Sequence, residues 1–149
     1  MAGLKLSAKA QEEFEFLESL IAKCDHLLAL TEQYAGGKGA AQDQVFQLIV
    51  RSLQQVRQKA MIKNLGPIAD AAGMLAVAAA RGSVVQRART LREGLSSYKQ
   101  NVERTMKALV GADQREKAEQ EKVIAARTRA KEQMERARQA HEAKTGEGG

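Results

Sequence analysis

Residues that build sheets are scarce in this chain. Its 149 residues include no Trp, one proline, and only Phe14, Phe16, Phe46, Tyr34 and Tyr98 as aromatics. Strands favour aromatic and β-branched side chains, so this composition fits poorly with a sheet. Cysteine is nearly absent as well. Cys24 has no second cysteine to pair with, which excludes an internal disulfide framework and a cysteine-based zinc site. A reducing cytoplasm is the expected setting. Long apolar runs are also missing. The opening MAGLKLSAKAQEEFEF has none of signal-peptide length, and the longest stretch, Met74 to Ala80, is too short to span a bilayer. The expectation is a soluble cytoplasmic protein with no membrane partner.

What dominates instead is Ala, Gln, Glu, Leu, Lys and Arg, all helix formers. The length suits one domain with a core plus an extension. The formal charge of +6 is unevenly spread. Residues 1–110 hold 15 basic and 10 acidic side chains, whereas residues 111–149 hold 9 and 8. Between Gln44 and Arg92 lie Arg51, Arg57, Lys59, Lys63, Arg81, Arg87, Arg89 and Arg92, opposed by Asp70 alone. One side of the fold is therefore expected to be basic.

Hydrophobic periodicity predicts four helices. Ser7 is placed to cap the first, which runs to about Tyr34 with Phe14, Leu17, Leu20, Ile21, Cys24, Leu27, Leu28 and Thr31 as its inner stripe. Gly36, Gly37, Lys38 and Gly39 end it. This glycine cluster reads as a helix connection, because the spacing and the Lys-Ser/Thr pair of a phosphate-binding loop are absent. A second helix, about Ala41 to Lys63, buries Val45, Phe46, Ile49, Leu53, Val56 and Ala60. Asn64-Leu65-Gly66-Pro67 stops it and starts a short third helix, Pro67 to Ala80. The third helix offers Ile68, Ala71, Ala72, Leu75, Ala78 and Ala79, small enough for neighbouring backbones to approach closely. Ser83 caps a fourth, with Val84, Ala88, Leu91, Leu95, Tyr98, Val102, Met106 and Leu109 in its stripe. Short connections imply antiparallel neighbours. The expected fold is all-α: an antiparallel up-down four-helix bundle over residues 1–110 with a long charged helical extension over 111–145. Residues 146–149 are expected to be disordered. The extension has too few apolar residues to join a core and is helical through i,i+4 ion pairs.

Catalytic groups are few. Cys24 falls inside the buried stripe, which describes an inert thiol. His26 lies off the stripe beside Asp25, with Ala29 and Leu30 where a second metal ligand would stand. Adjacent Glu12 and Glu13 point different ways on a helix. No enzyme activity, cofactor or metal is expected. The basic stretch admits non-specific nucleic-acid binding through phosphates. No aromatic residue interleaves with the basic ones between Gln47 and Thr90, however, so nucleic acid ranks below an acidic protein surface as the partner.

The segment NLGPIADAAGMLAVAAARG, residues 64–82, followed by RARTLREGLSSYKQNVERTMKAL, resembles the second half of the bacterial histidine-phosphotransfer (HPt) domain family. Members carry H-x-x-K-G on the helix before the turn. Counting back from Asn64 without gaps puts Val56 at the histidine position and Lys59 at the lysine. Matching the buried stripes puts Gln54 and Arg57 there instead, with two extra residues before the turn. Burial favours the second register, because an acceptor histidine must face solvent. Neither register supplies a histidine, which excludes phosphotransfer by that mechanism on the second helix.

The resemblance then implies a pseudo-HPt signalling adaptor. It would dock a response-regulator receiver domain or a histidine kinase through Gln47, Arg51, Gln54, Arg57, Gln58 and Met61. Arg57 would pair with receiver carboxylates, and Met61 would give adaptable apolar contact. The alternative is a structural or assembly protein that forms homo-oligomers, or pairs with a partner, through its charged C-terminal helix in coiled-coil fashion.

Overall fold

A computed structural model describes residues 6–147, with side chains described through residue 144. Every regular element among the described residues is a helix: α1 (Ala8–Gly36), α2 (Gly39–Ile62), α3 (Gly66–Ala79) and α4 (Val84–Glu147). The chain divides into two compact units, residues 1–110 and 111–149, and α4 supplies backbone to both.

The first unit is the antiparallel four-helix bundle. Its helix ends form where local chemistry satisfies them. The Ser7 hydroxyl accepts from the Ala10 amide at 3.2 Å and opens α1. At the other end the Gln42 side chain donates to the carbonyls of Tyr34 and Gly37, at 2.8 and 2.9 Å, and so takes up acceptors that α1 leaves free. Between α2 and α3, Asn64 adopts φ 60°, the left-handed conformation that closes a helix. The Leu65 amide reaches back to Ala60 O at 2.9 Å and the Asn64 amide to Met61 O at 3.0 Å, the paired bonds of a Schellman turn. Ser83 and Gln86 cap α4 reciprocally. The Ser83 amide donates to Gln86 Oε1, and the Gln86 amide donates to Ser83 Oγ.

Two core layers stack along the bundle, each with contributions from all four helices. One gathers Leu27, Leu30, Tyr34, Phe46, Ile49, Leu53, Leu75, Ala76, Ala79, Ala88, Leu91 and Leu95. The other gathers Leu17, Leu20, Cys24, Val56, Ala60, Ile68, Ala69, Ala72, Tyr98 and Val102. Burial of each large aliphatic side chain is worth about 1.5–3 kcal/mol, so these layers supply most of what holds the helices together. Ion pairs fix the order of neighbours around α1. Glu12 meets Lys63 of α2 at 3.1 Å, while Asp25 and Glu32 meet Lys99 and Arg92 of α4 at 2.8 and 2.6 Å.

The expected inner face of α3 needs one correction. Ala78 is exposed, and the buried set is Ile68, Ala69, Ala72, Leu75, Ala76 and Ala79. The alanine face turns inward because α4 comes very close. A β-carbon on Gly94 would collide with the Leu75 side chain. Small residues permit that approach, and the larger Met74 and Val77 are left outside.

In the second unit the chain is helical through Glu147, which takes in part of the stretch expected to be disordered. Gly148 and Gly149 lie outside the described residues. Intrahelical pairs support the helix: Asp113 with Lys117 at 3.6 Å, and Arg138 with both Glu135 and Glu142. No helix among the described residues is long and apolar enough to cross a membrane.

Candidate binding groove between α2 and α3

An open groove of about 660 Å³ lies between α2 and α3 in the first unit. Gln54 and Arg57 form one wall. Asp70, Gly73, Met74, Val77, Ala78 and Arg81 form the other. The walls follow from helix periodicity: Asp70, Met74, Val77 and Arg81 recur at steps of four, three and four residues and so share one face of α3 and its end. The floor opens where Gly73 has no side chain. Arg57 lies across this point, its Cδ 3.0 Å and its Nε 3.3 Å from the place a glycine β-carbon would occupy.

The groove combines two features that folding does not require. The first is exposed apolar surface, with Met74 72% and Val77 58% accessible. Solvating large apolar side chains forgoes the free energy their burial would give. The second is unpaired charge. The inter-helix ion pairs of the bundle all use carboxylates of α1. Among the described residues, Arg51, Arg57 and Arg81 have neither an ion pair nor a hydrogen-bond partner, and Asp70 has none either.

The six residues singled out on the second helix are all exposed. Gln54 and Arg57 enter the groove. Gln47 and Arg51 border a smaller recess with Asp43, Gln44 and Leu48 along α2. Gln58 and Met61 line neither. Of the two possible positions for an acceptor histidine, Val56 is 4% accessible, whereas Gln54 faces solvent. The α3 wall escaped the sequence reading because only the inward face of α3 was sought. Ile68, Ala72, Leu75 and Ala79 are buried as expected, and of the residues assigned to that face Ala78 alone lines the groove. The available signal was the occurrence of Met74 and Val77, its bulkiest residues after Ile68 and Leu75, at a spacing of three.

Other reactive groups sit apart from the groove. Cys24 is buried in the core, where desolvation first, and then the neighbouring Asp25 charge, push its thiol up to about 11. Burial also raises the Tyr98 phenol. His26 is exposed. The guanidinium carbon of Arg87 lies 4.9 Å from the centroid of the Phe46 ring, a cation–π contact that engages this cation in the fold. No group of three or more His, Cys, Asp or Glu able to hold a metal occurs among the described residues. Tyr34, Phe46 and Tyr98 are buried and Phe14 and Phe16 half-buried, and none of the five borders the groove.

Comparison with protein-family profiles, with curated proteins and with solved structures gives no match to this chain, and nothing in it points to the histidine-phosphotransfer family.

Proposed function

We propose that the chain is a non-catalytic protein-binding module whose docking surface is the groove between α2 and α3. The partner presents carboxylates around an apolar contact. The observation that carries this reading is Arg57, held over Gly73 at the mouth of a largely apolar groove and forming no ion pair, although Asp70 stands in the opposite wall. An arginine in that setting pairs with an incoming carboxylate by two parallel bonds, and Met74 and Val77 accept the apolar side chain beside it. Arg81 at the end of α3 and Arg51 further along α2 extend the positive field and steer an acidic partner toward the groove. An amphipathic helix with acidic flanks fits these requirements. The carboxylate cluster of a receiver domain is a narrower version of the same chemistry, supported here by the sequence resemblance alone.

Amide spectra of the isotopically labelled full chain, titrated with a synthetic amphipathic helical peptide bearing Leu and Glu at i,i+4 spacing, test the proposal. Shifts are expected at Gln54, Arg57, Gly73, Met74 and Val77, absent with the Gln analogue of the peptide and absent in the Arg57→Glu, Arg81→Glu variant. Shifts scattered over the bundle, or unchanged by those substitutions, overturn the assignment. An isolated receiver domain used as a second probe tests the narrower version.

A further inference from the structure

The second unit carries a surface of its own, built along one helix. Glu116, Gln120, Val123, Ile124, Arg127 and Lys131 follow one another at steps of four, three, one, three and four residues. At about 100° per residue they fall within an arc of about 100°, so all six share one face. Five of them, together with Glu119, border a single shallow recess along α4. All six are exposed, Val123 at 49% and Ile124 at 61%. None of the four polar members has an ion pair or hydrogen bond among the described residues, although pairs form elsewhere on the same helix.

The order of these residues is symmetric about the bond between Val123 and Ile124, and the outermost pair, Glu116 and Lys131, carries opposite charge across the centre. Glu116 lies as far before that point as Lys131 lies after it, and Gln120 corresponds to Arg127 in the same way. A face with this pattern is complementary to itself turned end to end. We infer that the segment around residues 116–131 binds the same segment of a second copy in an antiparallel two-fold pair. Val123 of each copy meets Ile124 of the other at the axis, Glu116 faces Lys131, and Gln120 faces Arg127. A two-fold interface requires this kind of self-complementarity. Parallel pairing would instead set Glu116 against Glu116 and Lys131 against Lys131, which like-charge repulsion disfavours. Pairing also relieves an internal conflict, since Arg127 and Lys131 are like charges at i,i+4 within one chain.

Sedimentation equilibrium of the full chain tests the inference independently of the α2–α3 groove. The wild type is expected to dimerise reversibly, more weakly at high salt. E116K and K131E each bring like charges together twice per dimer and should weaken association by about tenfold. The double variant E116K/K131E restores it, and so does an equimolar mixture of the two single variants. Far-UV circular dichroism checks that each variant remains helical. A wild type that stays monomeric to millimolar concentration at low salt overturns the inference. So does association that neither single substitution weakens, the result for a parallel pair or for a different surface.

Discussion

The side chain of Arg57 crosses α3 at Gly73, with its Cδ 3.0 Å from where a β-carbon on that glycine would stand. The relationship separates the stability of the groove from its occupancy. Gly73→Ala gains up to about 1 kcal/mol in helix propensity, while the added methyl displaces a flexible side-chain stem and no backbone. The melting temperature is expected to stay level or rise by a few degrees. Affinity for the acidic helical peptide should fall in the same variant, because the guanidinium leaves its position. Calorimetry and peptide titration on one sample read both effects.

Gly94 behaves in the opposite way. Its missing side chain lets α4 press on Leu75 in the core, and a methyl there meets a side chain held by its neighbours. Overpacking of this kind costs about 1–3 kcal/mol, more than the propensity gain of Gly94→Ala returns. Urea denaturation should show a net loss. Leu75→Ala should cost less in the Gly94→Ala background than in the wild type, a coupling that a double-mutant cycle measures.

Asn64 carries the turn between α2 and α3 at φ 60°. A β-carbon without a locally bonding amide strains that conformation, so Asn64→Ala is expected to lose about 1 kcal/mol, whereas Asn64→Gly holds or gains stability. The midpoints of chemical unfolding distinguish the two.

Cys24 links stability to alkaline pH. Its thiol titrates at about 11 in the folded chain against an ordinary value of 9.0, so the folded state keeps a proton that the unfolded chain gives up first. The stabilisation is complete below pH 9 and declines as pH rises toward 11. Cys24→Ala should remove that part of the decline, which unfolding curves at successive pH values will show. At neutral pH the wild-type thiol should react with a thiol reagent only as fast as the chain opens.

The periodicity of large apolar residues made most of this fold legible. Leu17, Leu20, Cys24 and Leu27 fix the phase of α1 without ambiguity, and Phe46, Ile49, Leu53 and Val56 do so for α2, because a leucine or isoleucine on the wrong face costs kilocalories. The turn at Asn64 and the cap at Ser83 were readable for the same reason: few other residues suit those positions. α3 was harder. Alanine loses little on either side of a helix, so Ala71, Ala72, Ala78 and Ala79 could not fix its rotation. The close approach of Gly94 fixed it instead, and that contact is remote in sequence. Half of the groove followed from this rotation. Arg57 and Gln54 were legible as solvent-facing residues of α2, while Met74, Val77 and Arg81 became their neighbours only once α3 was oriented.

The two core layers hold one tyrosine each, Tyr34 in the first and Tyr98 in the second, and the chain has no tryptophan. Neither buried phenol oxygen has a hydrogen-bond partner among the described residues, so exchanging either for phenylalanine forfeits no bond. Tyr34→Phe and Tyr98→Phe therefore give two chains with a single emitter apiece, each reporting from one end of the bundle. Coincident fluorescence transitions on heating would make the bundle one cooperative unit; separated transitions would mean that its ends melt independently.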